Sequence, residues 1–176
     1  MIKSVLKILF FFFKNNLNNY FKFFFLKNNF IYILTNYNYY YNLLNFFNKS
    51  TFFQFKNLTD IFVNDFPFKF YRFLISYSLL SFNLNLRLNI NFCFKELFPI
   101  ISIKNIFYSS NWVEREIWDF FGIFFIFNND LRRILLDYGF EGYPLRKDFP
   151  LYGYLELFYN ESSNSLFYLN VKINKD

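Results

Sequence analysis

From Phe82 to Phe94 apolar and polar positions alternate without a break. Phe82, Leu84, Leu86, Leu88, Ile90, Phe92 and Phe94 are separated by Asn83, Asn85, Arg87, Asn89, Asn91 and Cys93. Successive side chains of a strand point to opposite faces, so this run predicts a strand with one buried and one solvated side. The preceding stretch Phe66–Leu79 opens after the turn signal Asn64–Asp65 and is rich in Phe, Tyr and Ile, which predicts another strand. Two such strands in succession predict an antiparallel pair, closed at Pro99.

Elsewhere the period changes. Met1–Phe47 predicts two or three helices joined by Asn-rich connections such as Asn15–Asn19, Asn being a weak helix former. Trp112–Phe121 predicts a helix with Asn111 as N-cap and Glu114 completing a capping box. Its expected apolar stripe is Val113, Ile117, Phe120 and Phe121, its expected ion pair Arg115 with Asp119, and its expected stop Gly122 at C′. After it come a short buried run at 123–127 and one or two helical turns over Leu131–Leu136. An irregular, extended stretch follows at Asp137–Leu151, punctuated by Gly and Pro. Tyr152–Tyr159 and Leu166–Ile173 close the chain as two strands around a turn at Asn160–Asn164.

Composition changes how the aromatics are read. Phe occurs 33 times, Asn 25 times and Ala not once in 176 residues. The abundant residues have AT-rich codons and the scarce ones GC-rich codons, which points to the AT-rich genome of a protist organelle and discounts aromatic content as a functional signal. Against that background the segment Asn111–Leu151 stands out. It and the residues just beyond it hold all four glycines (Gly122, Gly139, Gly142, Gly153), both tryptophans (Trp112, Trp118) and four of the six arginines.

Single-residue counts exclude several chemistries. One cysteine, Cys93, forms neither an internal disulfide nor a Cys-based metal cluster, and the absence of His removes the usual general base and metal ligand. The longest apolar run, Phe120–Phe127, has eight residues, well short of the roughly 18–20 that cross a bilayer. The start MIKSVLKILFFFFKNN is basic then apolar in the manner of a signal peptide, yet it lacks a small-residue cleavage site. An import presequence would carry Arg, which first occurs at Arg72, so synthesis inside the organelle is the expectation.

The formal net charge of +6 is concentrated in the lysine-rich first 60 residues, whereas residues 111–150 hold five basic and seven acidic side chains. In that second segment Glu114, Arg115, Glu116, Asp119, Asp130, Arg132, Arg133, Arg146, Lys147 and Asp148 lie among aromatics. Three chemistries compete for them. Catalysis by paired carboxylates is disfavoured, because Glu114 and Glu116 point about 200° apart on a helix and cannot share a proton. Nucleic-acid binding by Arg132, Arg133, Arg146 and Lys147 is disfavoured by the neighbouring acids, which repel phosphate. A protein docking surface fits both the forked arginines and the interspersed carboxylates.

These residues also carry a resemblance to the thirty-kilodalton-type subunit of respiratory complex I, the family of NADH dehydrogenase subunit nine and the bacterial C subunit. The helical Glu114, Arg115, Glu116, Asp119 and Gly122, the run Asp130 to Leu135, and Gly142, Pro144, Leu145, Arg146, Lys147, Asp148, Phe149, Pro150 and Leu151 match its signature. Weaker similarity runs through Leu58–Asp60, Asp65, Arg72–Phe73 and Tyr77–Ser81, so the resemblance covers roughly 56–160. Where the family has His-Pro this chain has Asn128 and Asn129, and where it has His before Pro-Leu-Arg-Lys this chain has Tyr143.

The resemblance implies a two-layer α+β domain with a mostly antiparallel sheet and packed helices, followed by an extended C-terminal segment. The division is a helical 1–50, a domain at 51–160 with the signature at 111–151, and a strand or tail at 161–176. It implies a mitochondrially encoded, non-redox subunit in the matrix arm of NADH:ubiquinone oxidoreductase at the inner membrane, peripheral to the bilayer and without nucleic acid. Flavin, iron–sulfur clusters and ubiquinone would sit in neighbouring chains, the chief partners being the forty-nine-kilodalton-type quinone-site subunit and the cluster-bearing subunits. The ten charged residues above would dock the arm, with the Trp112–Phe121 helix anchoring that surface. An organellar ribosomal or RNA-binding protein is the alternative that the net charge suggests.

Overall fold

The computed structural model describes residues 21–27 and 30–171 and shows an α+β fold built on a five-stranded sheet. The strands are β1 (Phe21–Lys27), β2 (Phe30–Thr35), β3 (Asn57–Asp65), β4 (Phe73–Ser81) and β5 (Leu86–Phe94), in the order β1-β2-β5-β4-β3. Every neighbouring pair is antiparallel except β2 with β5. Helix α1 (Tyr40–Lys49) carries the chain from β2 across the sheet to β3 on the far edge.

The alternation in β5 does what the sequence predicts. Leu86, Leu88, Ile90, Phe92 and Phe94 are buried, Arg87 and Cys93 are exposed, and Asn89 and Asn91 lie between. β4 repeats the pattern, with Phe73, Ile75, Tyr77, Leu79 and Ser81 inward. Onto this face α1 sets Tyr40, Leu43, Leu44 and Phe47. The Tyr40 ring stacks on Phe92 at 4.3 Å between centroids. Each large side chain buried in this way contributes about 1.5–3 kcal/mol, so the inward faces of β4, β5 and α1 form the main body of the core. The Tyr40 hydroxyl donates to the Ile101 carbonyl (2.9 Å) and accepts from the Ile101 N–H (2.6 Å), which fixes the next segment to the helix. Burial pushes that phenol above its ordinary pKa range.

Three expectations are corrected here. The helices expected before Phe47 reduce to α1 among the described residues, because 21–27 and 30–35 are strands. β2 alternates in burial and finds in β5 a ladder partner, and its Phe, Ile and Tyr suit a half-buried pleat better than a helix. The part of that expectation before residue 21 lies outside the described residues. The strand expected from Phe66 begins at Phe73, since Pro67 and the hydrogen bond from Phe66 N–H to the Arg72 carbonyl (2.8 Å) make 66–72 a turn. The alternating run likewise starts too early, because Phe82–Asn85 forms the β4–β5 turn, with Asn85 left-handed at φ 47°.

Beyond the sheet, the two-residue strands β6 (Ile100–Ile101) and β7 (Phe125–Ile126) pair in parallel on either side of helix α2 (Ser110–Phe121). β8 (Leu155–Asn160) and β9 (Ser165–Asn170) form the expected terminal hairpin, and both strands are largely solvent-exposed. The boundaries drawn at residues 50 and 160 fall within continuous structure. The first separates α1 from the sheet that it covers, and the second lies in the β8–β9 turn. Residues 172 and 173, expected as strand, lie outside the described residues. Among the described residues no helix is long and apolar enough to cross a membrane.

Candidate functional site

The signature segment packs against helix α2, whose buried residues are mostly polar. Ser110, Glu114, Arg115, Ile117 and Asp119 are buried, while Val113, Phe120 and Phe121 of the expected stripe are only partly so. A buried charge must be paired or hydrogen-bonded to persist, and each of these is.

Glu114 does not cap its own helix, as a capping box would require. The helix starts at Ser110 with no side-chain cap bond, and the Glu114 carboxylate turns inward. It accepts from Ser102 Oγ (2.6 Å), the Ile103 N–H (2.8 Å) and Asn128 Nδ2 (2.9 Å). One side chain thereby ties α2 to the residues that leave β6 and β7. Burial raises its pKa above the usual carboxylate value, and the bonds from Ser102, Ile103 and Asn128 offset that rise only in part.

Asp119, one turn from the helix end, organises the next segment. Its Oδ2 accepts the backbone N–H groups of Ile134 (3.1 Å), Leu135 (3.0 Å) and Leu136 (3.0 Å). Its Oδ1 takes Arg133 Nη1 at 2.8 Å. This is why Leu131–Leu136 is not helical: three consecutive N–H donors point at one carboxylate and cannot donate along a helix axis. Burial pushes the Asp119 carboxyl up, but the backbone donors and Arg133 outweigh it and hold it below the usual range. The expected Arg115–Asp119 pair does not form. Arg115 instead gives Nε to the Arg132 carbonyl (3.2 Å) and Nη2 to the Arg133 carbonyl (3.4 Å). Arg133 closes the loop on the other side, with Nη2 on the carbonyls of Phe140 (2.7 Å) and Gly142 (3.3 Å).

Gly122 ends α2 as expected, at φ 69°, with its N–H on the Trp118 carbonyl at 2.9 Å. A Cβ there would stand 2.5 Å from the Tyr143 ring, so a side chain is excluded twice over. The ring is held in turn by Arg146, whose guanidinium carbon lies 4.7 Å from its centroid. Arg146 also donates Nε to the Phe121 carbonyl (2.6 Å) and Nη1 to Glu96 (2.5 Å). Glu96 bridges to Arg72 (2.9 Å), which grips Asp65 with two nitrogens (2.8 and 3.0 Å) and reaches Asp148 (2.9 Å). The Lys147 N–H completes the lock on Asp65 at 2.9 Å. Burial raises the Asp65 carboxyl, and Arg72 together with Lys147 N–H brings it to a net depression.

The ten residues singled out by sequence thus divide. Glu114, Arg115, Asp119, Arg133 and Arg146 spend their polar atoms inside the chain. Asp130 is half-buried and pairs with exposed Arg132 at 2.5 Å, while Glu116, Lys147 and Asp148 face solvent. Five contributors lay outside that set: Asp65, Arg72, Glu96, Ser102 and Asn128. Asp65 and Arg72 stand seven residues apart at the two ends of the β3–β4 turn, an acid–arginine spacing that could have revealed them. Nothing local marks Ser102 or Glu96.

The family described as respiratory-chain NADH dehydrogenase, 30 Kd subunit, matches residues 33–155, which include this whole network. NADH-ubiquinone oxidoreductase subunit 9 of Acanthamoeba castellanii is 45% identical over 137 residues, covering 78% of this chain and 69% of that protein. The subunit 9 of Reclinomonas americana is 51% identical over 108 residues, covering 61% and 53%. NADH dehydrogenase [ubiquinone] iron-sulfur protein 3 of Beta vulgaris is 47% identical over 127 residues, covering 72% and 66%. The chain thus spans between about half and two thirds of the length of these relatives. Among solved structures, a chain of the archaeal membrane-bound sulfane sulfur reductase superposes with a TM-score of 0.71 at 20% identity, covering 84% of this chain and 86% of that one. The trypsin-resistant fragment of Nqo5 gives 0.56 at 19%, covering 74% and 100%. Both show the fold alone.

The plant relative's name mentions iron and sulfur, and the donor set here can be tested against it. A cluster is typically held by about four thiolates. This sequence has Cys93 alone and no His, and Cys93 is exposed on β5. Those residues do not fit a cluster ligated by this chain. The matched span contains the elements that carry the Glu114, Asp119 and Arg146 contacts, and the chain belongs to the family of the 30-kDa subunit of the respiratory-chain NADH dehydrogenase.

Proposed function

We propose that this chain is a non-redox structural subunit of mitochondrial NADH–ubiquinone oxidoreductase, placed in the hydrophilic arm on the matrix side of the inner membrane. It holds the quinone-site subunit of the forty-nine-kilodalton type and the cluster-bearing subunits in register, while electrons pass from NADH to ubiquinone on those neighbours. The observation that carries this reading is the family match over residues 33–155. The geometry supports the structural role. The most heavily buried carboxylates, Glu114 and Asp119, have their oxygens occupied by groups of the same chain, so they maintain shape and offer no open reactive pair. One thiol and no imidazole supply too few donors for an iron–sulfur cluster. The signature side chains that reach solvent and can meet a partner are Glu116, Lys147 and, beside their own ion-pair partners Asp130 and Arg72, Arg132 and Asp148.

The test is to fractionate mitochondria that carry an epitope on this chain. Comigration with NADH–ubiquinone reductase activity on a native gel is the expected result. Sedimentation with ribosomes instead would overturn the reading and favour an RNA-binding role.

A further inference from the structure

Two loops stand together where β3 turns into β4 and β5 ends. Loop 66–71 is fixed by the Phe66 N–H on the Arg72 carbonyl and by the Lys69 N–H on the Phe66 carbonyl (3.0 Å), and loop 95–98 by the Phe98 N–H on the Lys95 carbonyl (3.1 Å). Lys95 joins them, its ammonium 4.0 Å from the Phe70 ring centroid and 5.8 Å from that of Phe98. At the crest Phe68 is 101% and Leu97 91% exposed, and Phe70, Tyr71 and Phe98 are exposed beside them. Single exposed apolar residues are ordinary, whereas a contiguous group rimmed by charge marks a contact surface.

A cleft of about 560 Å³ adjoins these loops, lined by Asn36, Tyr37, Tyr71, Cys93, Lys95 and Phe98 among others. Its walls are held in place: the Tyr37 ring meets Phe98 edge-on at 6.1 Å, and its hydroxyl donates to the Pro99 carbonyl.

Charge selects the partner. The acids at this end, Asp65, Glu96 and Asp148, are all engaged by Arg72 or Arg146. Among the described residues Lys69 and Lys95 make no ion pair, and each lies over a ring, Lys69 at 4.3 Å from Phe66. An aromatic surface with a cationic rim attracts carboxylates and rejects basic partners. A fixed cleft with an amide and hydroxyls in its wall suits a polypeptide, which can return hydrogen bonds, better than the acyl chains of a bilayer.

The geometry points to a docking site for an extended acidic segment of a partner subunit. An apolar side chain of that segment enters the cleft against Tyr37 and Phe98, and its carboxylates meet Lys69 and Lys95. This rests on the subunit reading above and names the surface and the chemistry of the partner.

The experiment compares purified NADH–ubiquinone oxidoreductase containing this chain with the isolated full chain. Brief acetic anhydride labelling is followed by peptide mass spectrometry. Lys69 and Lys95 should label at least tenfold more slowly in the enzyme. A soluble carbodiimide should link one of them to an Asp or Glu of another subunit, and K69E/K95E should abolish that link. Equal labelling in both samples overturns the docking site. So does protection of the isolated chain by cardiolipin vesicles with no cross-link in the enzyme, which assigns the patch to a lipid surface. If the chain is present in the enzyme and both lysines stay reactive, only the docking site falls. If it is absent from the enzyme, the subunit reading falls and takes the docking site with it.

Discussion

The carboxylate of Asp119 and the guanidinium of Arg133 meet at 2.8 Å, fourteen residues apart in sequence, with the Asp119 side chain fully shielded from water and that of Arg133 nearly so. The pair joins the end of α2 to a segment with no regular structure of its own. Its partners on either side, the N–H groups of 134–136 and the carbonyls of Phe140 and Gly142, engage the second Asp119 oxygen and Nη2 of Arg133. Removing one member of a buried pair strands the other. Asp119→Asn should therefore destabilise the purified chain by about 3 kcal/mol. Urea denaturation gives the value. A midpoint unchanged from the parent would show that the pair does not organise residues 131–142.

Acid stability should separate the carboxylates by sign. Asp65 and Asp119 have depressed pKa values when folded, so their contribution is full above the unfolded value of about 3.9 and is lost as pH falls through the folded one. Glu114 is raised, so its folded form holds a proton that the unfolded chain has released. Stability therefore drops as pH climbs from about 4.3 through the raised value. Glu114→Gln keeps one acceptor oxygen for the Ile103 N–H, turns its NH2 group toward Ser102 and Asn128, and removes the titration. Stability measured against pH in urea should show a falling limb above about pH 4.3 in the parent and a flat one in Glu114→Gln, with the acid limb retained in both. A parent profile that rises throughout this interval would contradict the assignment.

Gly122→Ala tests the close approach of Tyr143. Placing a Cβ at φ 69° costs about 1 kcal/mol in backbone conformation, and the ring 2.5 Å away must also move off Arg146. Tyr143→Ala would remove the clash but not the dihedral cost. In a double-mutant cycle the two changes should couple, the pair being less destabilising than the sum of the singles by at least about 0.5 kcal/mol. Strict additivity would place the ring elsewhere.

Tyr77 offers the opposite direction. It is fully buried on β4 and its hydroxyl has no hydrogen-bond partner among the described residues. Tyr77→Phe keeps the ring stacked beside Phe92, 6.0 Å away, and removes an unsatisfied polar atom. Stability should rise by about 1 kcal/mol, read as a melting temperature higher by roughly 2–4 °C. A loss of stability would mean that the hydroxyl is satisfied in solution.

What could be read from the sequence follows the range of the forces involved. The inward faces of β4 and β5 were legible because period-two burial is written in adjacent residues, and Gly122 because a left-handed helix end needs it. The terminal hairpin was legible for the same local reason. In 21–27 and 30–35 the abundance of Phe blurs the period, and it is the ladders of β1 with β2 and of β2 with β5 that make those residues strands. Hidden too was the polar arc of α2. Glu114 looked like a cap because it stands three residues after Asn111, yet its partners Ser102 and Asn128 come from segments that the fold brings in from either side. The carboxylate that unwinds Leu131–Leu136 sits fifteen residues from the first N–H it binds, beyond the reach of any local pattern. The signature therefore announced itself by composition while its internal role stayed concealed.

The division of the signature into inward and outward charges leads to the final expectation. Arg132 and Lys147 project into solvent, whereas Arg133 and Arg146, their neighbours in sequence, are held within the chain. Reversal of the exposed pair, R132E/K147E, should leave the denaturation midpoint of the purified chain near that of the parent, as surface substitutions do. The same variant should lower the amount of chain found in assembled NADH–ubiquinone oxidoreductase several-fold on native gels, because reversed charges oppose a complementary partner. R133E should instead fail at folding, before assembly is reached, since it sets a second carboxylate against buried Asp119. The two variants thus separate the outward surface from the inner lock. Normal incorporation of R132E/K147E would remove Arg132 and Lys147 from the docking surface, and a stable, well-folded R133E would contradict the lock itself.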